Sequence, residues 1–321
     1  MGVLPPGYTA RPLDFHEVDG FLDGPDVDLA YDVVCAADVG VLAAAESSRE
    51  SVRSNLINPD AVADEHRLVF SSAGDPVALV MVEKDAAAKT IYVDSYAVPD
   101  HGRRLLAPLV AMGVDAAARL KAGDDWKIEA GAFEQDEVYR DVLEAAGFGE
   151  VRRFWHMHID LASELKQSPE APPGVTRTVV DSDDDRRLLH HLDEVAFAEH
   201  FGFVPHPYDD WISWFSDRRD ARPDLWWLAW LDGEPVGLCI GDDSRIDRNA
   251  GHVRVLGVVP QARGRGIARW LLLESFAQGA REGRTAMTLT VDSDNTTGAT
   301  ALYDGVGMRP ERVIVLYRRP A

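Results

Sequence analysis

The chain has 321 residues, 46% of them apolar and 27% charged, an ordinary globular composition and a length that suits two domains rather than one core. A formal charge of −21 repels nucleic-acid phosphates and anionic membrane surfaces, so neither is expected as a partner, and a cationic ligand such as a free amine is favoured. With only Cys35 and Cys239 there is no disulfide framework, and no apolar run reaches the roughly 18 residues that cross a bilayer.

The opening stretch MGVLPPGYTARPLDF has neither the basic start nor the apolar run of a secretory signal, so a cytoplasmic protein is expected. Along the chain, HRLVFSSAGDPVALVMVE (66–83) reads as strand, glycine turn, strand. A strand ending at Val98-Pro99 follows, then a long helical pattern to about residue 123, in which Pro108 would break a hydrogen bond unless the helix starts late. A further strand and helix occupy 126–148. The polar, proline-rich stretch 166–174 reads as a linker between a domain over 1–165 and a second over 175–321.

Beyond the linker the same order returns. Helices are expected over 181–199 and about 208–219, a hairpin over 225–241 and a central strand over 252–259. A helix over 266–282, a strand over 286–292, a helix over 296–305 and closing strands complete the pattern. The landmarks repeat at nearly constant spacing: Pro260 lies 161 residues after Pro99, Tyr303 lies 164 after Tyr139, and Gly307 lies 160 after Gly147. Two copies of one α/β domain explain this spacing, each with a parallel strand pair joined by a right-handed crossover helix.

The segment Val258-Val259-Pro260-Gln261-Ala262-Arg263-Gly264-Arg265-Gly266-Ile267 joins a strand to a helix. A helix N-terminus carries unpaired N–H groups and partial positive charge, and Gly264 and Gly266 let the backbone approach an anion closely. Arg263 and Arg265 add two cations inside an acidic protein. A dinucleotide fold would want a third glycine and an acid after the next strand, which this loop lacks.

With Gln261-x-x-Gly264-x-Gly266 and the downstream VDSDNTTGATALYDGVGM, the chain resembles the GNAT superfamily of N-acyltransferases, clearly over 174–321 and more weakly over 8–161. Its tandem arrangement is similar to the mycothiol synthase group. The resemblance implies an α/β fold of two tandem GNAT-like domains, each a mixed, mostly antiparallel sheet flanked by helices. It also implies acetyl-CoA as cofactor, a small-molecule amine as acceptor, no metal, and a monomer or homodimer. On this reading Leu256, Gly257 and Val258 pair with the pantetheine arm and the N–H groups of Arg263, Gly264, Arg265, Gly266, Ile267 and Ala268 hold the pyrophosphate. Asn295 bonds the arm or a nearby backbone group. Tyr303 protonates the leaving thiolate, as a phenol within hydrogen-bond reach can. The mycothiol synthase group has a glutamate eight residues before the proline, where this chain has His252, whose imidazole is a candidate base. That departure counts against mycothiol synthesis, and acetylation of a cysteinyl-sugar amine and a non-catalytic CoA-binding regulatory module stand as the alternatives to acetylation of another primary amine.

The aromatic segment AFAEHFGFVPHPYDDWISWF (196–215) falls where the family's acceptor wall lies, with Glu199 and His200 as candidate substrate contacts and most of its rings as packing. In the first copy Asp100-His101-Gly102-Arg103-Arg104 replaces the glycine loop and nothing matches Asn295, so that copy is expected to be a scaffold without catalysis.

Overall fold

The computed structural model describes residues 3–18, 21–161, 167–294 and 298–321. Residues group into two compact units: 1–153 with 313–321, and 154–312.

In the first unit, β1 (Tyr8–Arg11), a short hairpin of β2 (His16–Val18) and β3 (Phe21–Asp23), and helices α1 (Pro25–Leu42) and α2 (Arg49–Ile57) lead into the sheet. Next come β4 (Arg67–Ser71), β5 (Pro76–Asp85), β6 (Thr90–Ala97), α3 (Pro99–Leu120), β7 (Lys127–Phe133) and α4 (Glu137–Ala145). All neighbours pair antiparallel except β6 and β7, which are parallel and meet only over Thr90–Tyr92 and Lys127–Glu129. Helix α3 begins at Pro99 and runs through Pro108. The late start that Pro108 suggested is not adopted: the proline costs one amide bond, which the buried residues Leu105, Leu109 and Val110 of the same helix outweigh.

Strand β8 (Gly149–Asp160) starts in the first unit and contributes 154–160 to the second. There β9 (Val175–Val179), α5 (Asp183–Phe197), α6 (Tyr208–Ser216), β10 (Ala221–Leu231), β11 (Glu234–Asp242) and β12 (Ala250–Val258) follow. Then come α7 (Ile267–Arg281), β13 (Ala286–Asp292), α8 (Ala299–Gly305) and β14 (Arg309–Pro320). The second sheet runs β8-β13-β12-β11-β10-β9, antiparallel except for β12 beside β13. The units do not coincide with the halves 1–165 and 175–321, because the closing strands are exchanged. Residues 154–160 of β8 pair with β13, and Ile314–Pro320 of β14 pair with β7. Each exchanged strand covers what would otherwise be a bare sheet edge.

Trp226, Leu228, Leu238, Phe276, Leu289 and Met308 build the core of the second unit, so the hairpin tryptophan Trp226 serves packing. Residues 167–174 have no regular structure but are held against α7: Ser168 donates to Glu274 at 2.9 Å and the Trp270 indole donates to the Pro169 carbonyl at 3.3 Å.

Candidate active site

Strands β12 and β13 are hydrogen-bonding neighbours only over Ala250–Val253 and Ala286–Leu289. Beyond that they part, and residues 253–258 and 289–292 line a cleft of about 830 Å³. On its other side β12 stays paired with β11, but the register slips at Arg254, where Ile240 faces Val255 and Gly241 faces Val253. An extra residue bends a strand and shifts its alternation. Accordingly a side chain at Gly251 would meet Met287, whereas one at Gly257 would strike Ala196 and Phe197 of α5. The bulge thus sits where the strands separate, leaving the cleft edge of β12 without a β13 partner.

At one end of the cleft lies the loop before α7. Gly264 and Gly266 both adopt positive φ, 77° and 80°, a region L-residues avoid. Helix α5 closes its own N-terminus with a capping box between Ser182 and Asp185. Helix α7 has no side-chain cap. The first of its amides to be engaged is that of Trp270, bonded to the Gly266 carbonyl, so among the described residues the six consecutive N–H groups of Gly264 to Arg269 have no backbone acceptor. Six open donors at a helix start form a cradle for a polyanion such as a pyrophosphate.

The first unit lacks this feature at the matching place. There α3 starts directly after the strand, and both His101 and Gly102 give their N–H to the Val98 carbonyl. The gap between β6 and β7 holds the half-buried Asp94, whose carboxyl desolvation pushes up to about 6 while the Gly131 N–H opposes the rise.

Of the residues singled out in the sequence, Leu256, Gly257, Val258, Arg263, Gly264, Gly266, Ile267, Ala268, His200 and Tyr303 line the cleft together. Gln261, Arg265 and Glu199 do not, and Asn295 lies outside the described residues. Arg263 is turned inward rather than toward an anion. Its guanidinium donates to the carbonyls of Val258 at 3.2 Å and Ala196 at 2.9 Å and lies 3.7 Å from Glu199, tying the loop to β12 and α5. Glu199 therefore faces this arginine.

Tyr303, on the short helix α8, is buried, and its hydroxyl has no hydrogen-bond partner among the described residues. Burial, with a smaller push from Cys239, raises its phenol to about 12. His200 packs edge-on against Phe197, and burial and then Arg263 lower its pKa.

The structure does not bring His252 into the cleft. It lies in the paired part of β12, where Nδ1 bonds Thr288 Oγ1 at 2.9 Å while that hydroxyl donates to the Gly251 carbonyl. Burial pushes its pKa down to about 3 against the pull of Asp242, which leaves an imidazole too weak to accept an ammonium proton. Its neighbour Asp242 is buried, which alone would raise its pKa, but Arg254, His252 and Ser244 outweigh burial and hold it near 2.

Sequence reasoning passed over Asp193, Arg254, Arg269 and Phe154, all on the lining. Asp193 is legible in retrospect, because it stands one turn before Phe197 on the same helical face.

Residues 186–308 match the acetyltransferase (GNAT) family. Mycothiol acetyltransferase of Thermobispora bispora is 31% identical over 185 residues, which span 54% of this chain and 60% of that protein. The Kocuria rhizophila protein of the same name is 27% identical over 268 residues, 78% of this chain and 83% of that one. Among solved structures, a GCN5-related N-acetyltransferase from Sphaerobacter thermophilus is 27% identical and superposes with a TM-score of 0.79, covering 99% of this chain and 97% of that one.

The second unit is thus an acetyltransferase (GNAT) domain, a mixed sheet flanked by helices with a splayed parallel pair. Over residues 186–308 the chain is therefore similar to acetyltransferases of this family, whose cofactor is acetyl-CoA. The residues present fit that cofactor, with an open amide cradle for its pyrophosphate and an unpaired strand edge for its amide-bearing arm. No helix among the described residues is long and apolar enough to cross a membrane.

Proposed function

We propose that the second unit transfers the acetyl group of acetyl-CoA directly to a primary amine in a ternary complex. The observation that carries this reading is the run of six unengaged amides, Gly264 to Arg269, at the end of a cleft that Tyr303 also lines. Bound there, acetyl-CoA supplies an activated thioester carbonyl. The free edge of Leu256, Gly257 and Val258 orients its arm, and the Tyr303 hydroxyl, without a partner among the described residues, stabilises the departing sulfur. Direct attack is favoured because the described lining has no cysteine or serine to carry an acyl group. The nearby Cys239 is buried, with its thiol pushed up to about 11. The first unit, with its amides engaged and Asp94 in the gap, acts as scaffold.

Release of free CoA with a panel of primary amines tests the reading. Double-reciprocal lines that intersect support direct transfer, whereas parallel lines or an acetylated protein intermediate overturn it. Amine-independent behaviour, with acetyl-CoA bound but never turned over, would favour a CoA-binding regulatory module instead. The names of the relatives support a narrower version, mycothiol acetyltransferase activity on a cysteinyl-sugar amine, which the same assay tests with that acceptor.

A further inference from the structure

Asp193 is the one cleft carboxylate on the α5 wall. Helix α5 touches β12 through Ala196 and Phe197, both within 3.0 Å of a side chain built on Gly257. Asp193 lies on the same face one turn earlier, about 5 Å along the axis. It is partly buried, and the Trp211 indole of α6 donates to its Oδ2 at 2.7 Å. Oδ1 receives no hydrogen bond among the described residues. On a residue that lines the cleft, a carboxylate with one oxygen clamped by a buried indole and the other without a hydrogen bond among the described residues is oriented for a ligand. Phe197, Phe201 and Phe203 line the cleft as well.

We propose that Asp193 is the seat of the acceptor: Oδ1 binds its ammonium and takes the proton that must leave before nitrogen can attack, and the amine is carried on an apolar body that the phenylalanines accept. This inference rests on the amine acetylation proposed above. The ammonium gives one proton to Oδ1 and keeps a lone pair. That pair forms the C–N bond at the acetyl carbonyl, and the C–S bond breaks with its electrons leaving on sulfur. Nitrogen then loses its surplus proton and sulfur gains one. The net products are amide, free thiol and the one proton that Asp193 returns to solvent.

Burial, opposed by Trp211 and His190 and assisted by Glu194, raises the Asp193 carboxyl to about 6. It is therefore ionised at neutral pH yet a better proton acceptor than an ordinary aspartate. The other charged or titratable groups on the lining are His200, Arg254, Arg263, Arg269, Asp292 and Tyr303. Of these, Arg254 is paired to Asp242 and Arg263 to Glu199.

The test compares wild type, Asp193→Asn and Asp193→Glu with phenethylamine, spermidine and glucosamine as probes. Asparagine keeps an acceptor for the Trp211 indole, so it removes the charge with little change to packing. The expected result is a fall of at least 100-fold in kcat/KM for Asp193→Asn and loss of the acid limb near pH 6, with partial recovery in Asp193→Glu. Calorimetry on CoA-saturated protein should show phenethylamine binding at least 10-fold weaker, while CoA itself binds as before, which also reports folding. Wild-type turnover left unchanged by Asp193→Asn overturns the inference while leaving the proposed function standing. Preference for glucosamine over phenethylamine overturns the apolar body. A wild type that acetylates none of a broad amine panel overturns the proposed function, and this inference with it.

Discussion

Replacing Tyr303 by phenylalanine deletes one hydroxyl from the cleft wall, and its effect can be worked from the surroundings of that group. The phenol lies near 12 because it is buried, whereas a thiol titrates near about 8.5. Complete proton transfer from this phenol to a thiolate is therefore uphill by about 5 kcal/mol, at about 1.4 kcal/mol per pH unit. Tyr303 is better described as a hydrogen-bond donor that stabilises the developing thiolate, with solvent supplying the proton afterwards. Loss of one such donor lowers kcat by about 100-fold, roughly 3 kcal/mol of barrier. Because the hydroxyl has no partner among the described residues, thermal stability should be unchanged or slightly raised. Steady-state kinetics from pH 6 to 10.5, with a thermal melt on each variant, check both halves. A Tyr303→Phe enzyme within threefold of wild type would refute the assigned role. An alkaline limb near pH 9 that vanishes in the variant would refute the buried, raised phenol.

Gly257→Val should both destabilise the protein and block the cleft. Its Cβ would lie 2.7 Å from Leu238 and 3.0 Å from Ala196 and Phe197, and overpacking of this kind costs about 1–3 kcal/mol, read by denaturant unfolding and by CoA titration. Gly264→Ala meets no atom within 4 Å, so only the positive φ is penalised; stability should fall by about 1–2 kcal/mol, and CoA affinity should fall with it in calorimetry. In the first unit, fully buried His66 accepts the Val82 N–H at Nδ1 and donates from Nε2 to the Leu56 carbonyl, each at 3.0 Å, which fixes it as the neutral Nε2–H tautomer. Burial lowers its pKa from 6.5 to about 4. The folded state therefore binds fewer protons than the unfolded chain between those values: the stabilising contribution is fully present above pH 6.5 and is lost as pH falls toward 4, about 3 kcal/mol in all. Urea titrations across that range should show the loss in wild type and a flatter profile in His66→Gln.

The parts of the fold that repeat were readable because their signals are local. Val-Pro followed by a helical pattern, Gly-turn hairpins and the 161-residue spacing each depend on neighbours in sequence. Exchange of the closing strands was not readable, since 154–160 and 313–321 both read as strand and nothing local says which sheet edge each will cover. The glycine loop was legible in identity but not in detail. Arg263 and Arg265 look equivalent on the page, yet the first is consumed by two carbonyls and the second is off the cleft lining. His252 was placed by counting back from Pro260, and the count ignores the bulge at Arg254, which divides the strand into a paired half and a splayed half.

That bulge also explains why one strand can serve as both sheet member and binding edge. A parallel pair that stayed in register would spend the amides of β12 on β13 and leave no edge for a ligand. By slipping one residue against β11, β12 keeps its full antiparallel partner on one side while its last residues turn away from β13 on the other. Open backbone at the gap can be met by solvent, and equally by a ligand with its own donors and acceptors, which is the property of an amide-bearing arm. The same argument applies at α7, whose six open N–H groups would be expensive if buried and are inexpensive facing a cleft. Strand edge and helix start are thus one design: backbone groups withheld from the fold, in adjoining segments, where a ligand with matching polarity can complete them.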